Sequence, residues 1–177
     1  MLIRSLALAV MLLPFAAQTA AKPAQGATDA LPAGVLQRQQ AGGIMPATVF
    51  FRGQTSTIQA RNSAGIKLAD GKLVLTAIVD TSGYSSAVQQ SYQAYLINEV
   101  PLDLGGHTLQ PGAYGYGFVA GNAAVVMDLG GNELFRTPTS LDDKLARPTP
   151  LQIIASDGGV YRLYLGRQFV TLNLPAK

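Results

Sequence analysis

From Ala47 to the C-terminus, the hydrophobic period of this chain is two rather than 3.6. Short runs of β-branched and aromatic residues alternate with turn residues, the pattern of strands with alternating faces. Tight links punctuate the runs at Asp70-Gly71, Gly105-Gly106, Gly121-Asn122, Gly130-Gly131 and Asp157-Gly158-Gly159. Glycine in such links supplies the backbone conformations that hairpins demand, and hairpin-linked strands are antiparallel. The pattern predicts an all-β fold: a mainly antiparallel sandwich or small closed barrel of about ten short strands, with one or two short helices.

Two segments interrupt the alternation. Ser82–Ser91 is a polar insert with room for a short helix. Ser140–Ala146 reads as one or two helical turns, with Ser140 as cap and Arg147-Pro148 as terminator. Lys72–Asp80 (KLVLTAIVD) is apolar on both faces, which marks a strand buried on both sides. Leu102–Gly106 (LDLGG) is echoed by Met127–Gly131 (MDLGG), and we read the pair as two hairpins with the same turn chemistry. Two copies fall short of the three repeats a solenoid needs.

The chain begins with a different grammar. Arg4 precedes an apolar stretch, Ser5–Ala17, and small residues follow at Thr19-Ala20-Ala21. This is the form of a secretory signal peptide over residues 1–21, cleaved after Ala21. The apolar stretch is shorter than the ~20 residues needed to span a bilayer. Residues 22–46 are rich in Ala, Gly, Pro and Gln and read as a flexible leader, with a helical turn or two at Pro32–Gln40. Residues 47–177 form the single β domain. Export without any cysteine implies a periplasmic or extracellular protein held together by its core alone.

Composition excludes several chemistries. There is no Cys, no Trp and one His, so thiol nucleophiles, Fe–S clusters, disulfides and ordinary zinc sites are ruled out. A net charge of +3 with scattered Lys and Arg argues against nucleic acid as a partner. The sequence has no P-loop, no G-x-G-x-x-G and no G-x-S-x-G. Asp142-Asp143 and Asn132-Glu133 lack EF-hand spacing, so no metal is assigned. Neither of the two glutamates, Glu99 and Glu133, is marked as half of a glycosidase pair. The strands look too short for an outer-membrane barrel. No cofactor and no transmembrane segment after signal removal are expected.

Aromatic residues supply the binding candidates. In Ala113–Val119 (AYGYGFV), an extended chain puts Tyr114, Tyr116 and Phe118 on one face and Ala113, Gly115, Gly117 and Val119 on the other. The aromatic face is either a pocket wall or core, with the glycines marking close approach of a neighbour. Tyr84, Tyr92 and Tyr95, in and after the polar insert, are either exposed loop contacts for a small molecule, glycan or protein, or tyrosines of an ordinary wide loop packed on the sheet edge. His107, just past Gly105-Gly106, reads as a solvated turn residue or as the base of a hydrolase that uses strand-end acids.

The stretch Gly106–Tyr114 has the form G-x-x-L-x-P-G-x-Y. It resembles a signature of uncharacterised secreted bacterial β-sandwich families, and it is similar to a turn of transthyretin-like and carboxypeptidase-regulatory-like modules. Arg61–Asp80 followed by Tyr92–Leu104 resembles one such uncharacterised family. The resemblance implies a sandwich in which Pro111-Gly112 turns the chain and Tyr114 faces inward. It brings no catalytic residues. The leading expectation is an exported, non-enzymatic binding or interaction module. The alternatives are a secreted hydrolase using His107 or strand-end acids, and a structural cell-envelope protein.

Overall fold

The computed structural model describes residues 31–174. The expected signal peptide and residues 22–30 of the expected leader lie outside them. Two antiparallel sheets pack face to face, and no barrel closes. The larger sheet contains β1 (Gly34–Leu36), β2 (Thr48–Phe51), β3 (Gln54–Lys67), β4 (Leu73–Val79), β5 (Ala94–Asn98), β8 (Gly112–Val119), β9 (Ala123–Met127) and β10 (Glu133–Pro138). Its order is β1-β3-β4-β5-β8-β9-β10, with β2 also paired to β3. The smaller sheet runs β12 (Leu151–Ala155), β13 (Val160–Leu165), β14 (Gln168–Asn173), β6 (Leu102–Leu104), β7 (His107–Leu109), with β11 (Ser140–Leu141) beside β14. Two short helices complete the fold, α1 (Arg38–Ile44) and α2 (Ser86–Ser91).

Strand alternation explains why the larger sheet has two apolar faces. On one face, Ile66, Val74, Leu96, Tyr116 and Val126 meet Leu104, Leu151, Leu163 and Leu172 of the other sheet. On the opposite face, Leu75, Ala77, Tyr95, Val125 and Met127 are covered by Leu36, Ala41, Met45, Val49 and Phe51. The molecule therefore has three layers: the smaller sheet, the larger sheet, and a cover of α1 and the region around α2, completed by side chains of β1 and β2, which pair with β3. The double-sided apolar pattern of β4 follows directly.

The cover corrects the reading of residues 22–46 as a flexible leader. Residues 34–44 form a strand and a helix, and Leu36, Ala41 and Met45 are buried. The α1 segment, RQQAGGI, has two glycines in seven residues, so intrinsic propensity is poor. Its order comes from burial against the sheet and from Gln40 Oε1, which accepts the Gln37 backbone N–H at 2.8 Å.

Three further elements differ from expectation. The two strands expected at Thr55–Ala60 and Ala64–Leu68 are one long strand, β3, whose pairing with β4 shifts between Ile58 and Ser63. His107–Leu109, read as turn, is a short strand paired with β6. Ser140–Ala146 is not helical: it opens as β11 and continues as turns. The physical reason is competition for its carbonyls. The Arg167 guanidinium donates to the carbonyl oxygens of Asp142, Asp143 and Leu145, at 3.3, 3.1 and 3.0 Å. The Asp142 carboxylate takes the Lys144 N–H at 3.1 Å and the Tyr164 hydroxyl at 2.9 Å.

The glycine face of β8 lets the cover approach. A Cβ on Gly115 would lie 2.5 Å from the Phe51 ring and 3.0 Å from the Tyr92 ring. A Cβ on Gly117 would collide with the Ser91 carbonyl oxygen at the end of α2. Gly117→Ala is therefore expected to destabilise the protein by about 1–3 kcal/mol through overpacking against rigid backbone. Gly83→Ala, where a Cβ meets nothing within 4 Å, is expected to stay within about 0.5 kcal/mol. Urea unfolding of the two variants checks both values.

Candidate functional site

The six aromatic candidates are brought into two groups, one on each side of the larger sheet. Tyr116 and Phe118 lie in the core between the sheets, and Tyr114 packs against that core from its edge. Tyr116 is 1% exposed, and its hydroxyl shares a 2.7 Å hydrogen bond with the Thr76 hydroxyl. The Tyr114 hydroxyl donates to the Gln110 carbonyl at 2.9 Å. This face is packed core and not a pocket wall.

Tyr84 and Tyr92 are buried in the cover, and Tyr95 of β5 is buried beneath it. Tyr92 stacks on Phe51 with ring centroids 3.9 Å apart, and Tyr84 meets Tyr92 edge-on at 5.3 Å. The Tyr84 hydroxyl donates to the Phe51 carbonyl at 2.9 Å. The Tyr92 hydroxyl is buried without a hydrogen-bond partner. The reading of these three as exposed loop contacts is therefore corrected. Their flanking Ser, Gly and Gln residues made the insert look solvated, but the bare glycine face of β8 draws the rings inward.

Burial makes five tyrosines harder to ionise. Tyr92, Tyr95, Tyr114, Tyr116 and Tyr164 are all pushed above the ordinary tyrosine range, desolvation being the largest cause in each. Tyr84 and Tyr95 add like-charge repulsion at Tyr92, while the Thr76 hydrogen bond partly offsets burial at Tyr116.

The expected catalytic groups do not converge. His107 is exposed and stacks on Phe135 of β10, centroids 4.3 Å apart. The acids serve turns and local pairs. Asp80 is held below the usual carboxylate range by hydrogen bonds from Ser82, and Asp128 by Asn132. Glu133 is lowered by Arg136, its ion-pair partner at 2.9 Å. Asp103 accepts from the Gly106 N–H and from Asn173. Among the described residues, no three His, Asp or Glu side chains are grouped to hold a metal ion. No described helix is long and apolar enough to cross a membrane.

Two open concavities stand out among the described residues. The first, about 1060 Å³, lies at one end of the sandwich. Its floor includes Ile66, Val100, Tyr161 and Leu174, continuous with the core between the sheets. Its rim carries Lys72 and Asp70, which pair at 3.8 Å, and the Gly158-Gly159 turn. The second, about 1030 Å³, is a groove between α1 and β3 that includes Arg38 and Arg61. Sequence reasoning missed both. The end cleft is assembled from turns far apart in the chain, and the groove lies in the segment read as leader.

No family model, no curated protein and no solved structure matches the chain.

The tyrosine hydroxyls yield a paired expectation. Tyr116→Phe strands the Thr76 hydroxyl in the core and should cost about 1–2 kcal/mol, whereas Tyr92→Phe removes a partnerless hydroxyl and should be neutral or stabilising. The raised pKa values also set an alkaline limit. A group whose folded pKa lies higher stabilises the fold below the unfolded value and loses that contribution above it. Stability should hold up to about pH 9 and fall above pH 10, by about 1.4 kcal/mol per pH unit for each of Tyr92 and Tyr116. Tyrosinate absorbance should then rise together with unfolding. Ionisation of all seven tyrosines near their ordinary value in the folded protein would contradict the burial.

Proposed function

We propose that this protein is an exported, non-enzymatic binding module, and that its ligand is a small, mainly apolar molecule with one polar end. The observation that carries the reading is the cleft at the end of the sandwich. Its volume is about 1060 Å³, just above the range of roughly 300–1,000 Å³ for small-molecule sites. Its floor is core side chain, while Lys72 and Asp70 place polar groups at the mouth. An apolar lining with a few polar groups for orientation is the usual chemistry of such sites. The isolation of His107 from any hydrogen-bonding or ion-paired acid among the described residues supports binding over hydrolysis. Export rests on the signal pattern of residues 1–21.

Two experiments test this. Expressed at full length in a bacterium, the protein should accumulate outside the cytoplasm with a new N-terminus at Lys22. Retention in the cytoplasm with Met1 intact would contradict export. The purified protein should enhance the fluorescence of anilinonaphthalene sulfonate saturably, as an apolar cleft does. Ala69→Trp places a bulky ring at an exposed position lining the cleft and should weaken that binding by about tenfold or more. Unchanged binding in this variant, at unchanged thermal stability, would move the site elsewhere.

A further inference from the structure

The groove between α1 and β3 is built by a break in the sheet. β2 pairs with β3 up to Thr57, and β1 pairs with it from Gly65 onward. The chain joining β1 to β2 passes through α1, so neither strand pairs with Gln59–Asn62. The register with β4 also breaks there, between Ile58 and Ser63. Four residues of β3 thus have no ladder partner on either side. The Asn62 amide donates to Gln59 Oε1 at 2.7 Å and braces this bulge. Gly42 lets α1 rest on the Ala60 carbonyl, where a Cβ would collide.

The groove's chemistry is one-sided. Arg38 comes from α1 and Arg61 from the bulge, both exposed, and Gln37 and Gln39 add amides. No acid lines it. Among the described residues, neither arginine makes a salt bridge, hydrogen bond or ring contact. Arg136 and Arg162, by contrast, sit beside carboxylates. Val35, 40% exposed, adds an apolar wall. Bulges that interrupt pairing often sit beside functional sites, and unpaired strand backbone is a template for another chain.

We propose that this groove takes an extended acidic segment of a partner protein, which pairs with backbone groups of Gln59, Arg61 and Asn62 that lie outside the ladders and sets carboxylates against Arg38 and Arg61. Backbone pairing supplies the docking, and the two forked guanidinium groups select carboxylate side chains. The site is separate from the end cleft, and its test is independent of it.

The test uses fluorescence anisotropy on the full-length protein as purified, with a labelled octapeptide of alternating Glu and Val as probe. Binding should weaken as salt is raised. The double variant Arg38→Glu/Arg61→Glu should lose about tenfold or more in affinity, while Arg147→Glu, an exposed arginine outside the groove, should change nothing. Ala60→Asp, a single exposed change inside the groove, should weaken binding in the same direction. It keeps the test decisive if the double variant is unstable. Replacing alternate valines of the probe with proline should abolish binding, because proline cannot donate to a ladder. Equal binding of the proline probe, equal binding of inorganic polyphosphate, or affinity unmoved by the groove variants would each overturn the proposal.

Discussion

The structure depends on a close approach: the Phe51 and Tyr92 rings lie against the bare backbone of β8 at Gly115. Without it the larger sheet would expose an apolar face. Leu75, Ala77, Tyr95, Val125 and Met127 all project toward the cover. A sandwich needs only one apolar face per sheet. Here the central sheet has two, so the N-terminal segment and the α2 region belong to the core and do not decorate it. The same constraint explains the polar atoms left inside. The Tyr92 hydroxyl and the Ser63 hydroxyl are buried with no partner, and the apolar packing around them offsets the cost of desolvation.

Much of the architecture was legible as local pattern. Period-two alternation and glycine links carried the sandwich, because hairpin chemistry is local and strand faces follow from pleating. The α2 helix sits inside the polar insert that was expected to hold one. The double-sided apolar run of β4 was legible as a central, buried strand, but not as the sign of a third layer. What supplies that layer was not legible, because the residues of α1 have weak helix propensity and gain order only on docking. The Ser140–Ala146 segment failed for a similar reason. Its capping pattern favours a helix, but Arg167, more than twenty residues away, claims the carbonyls.

The candidate site was less legible than the fold. The alternation of AYGYGFV was read correctly as two chemically opposite faces, but both are interior. Tyrosine in a serine-rich insert reads as surface, and only the tertiary fit against glycine reveals it as core. Concavities arise where distant segments fail to meet, as at the sandwich end and the gap between β1 and β2 on β3. No local period reports such a mismatch. That Arg38 and Arg61 share one groove with no acid beside them shows only in three dimensions, because α1 and β3 bring them together.

The central claim is that the N-terminal cover is part of the cooperative core. Native-state hydrogen exchange tests it most directly, read at the amides of Ala41, Met45, Phe51 and Tyr92 against those of Leu75 and Leu96 in the central strands. The account predicts that both sets open with the same free energy, the global one, because burial of one sheet face couples them. Exchange of the cover amides at far lower free energy, while the central strands stay protected, would contradict it and restore residues 31–46 to the status of a leader.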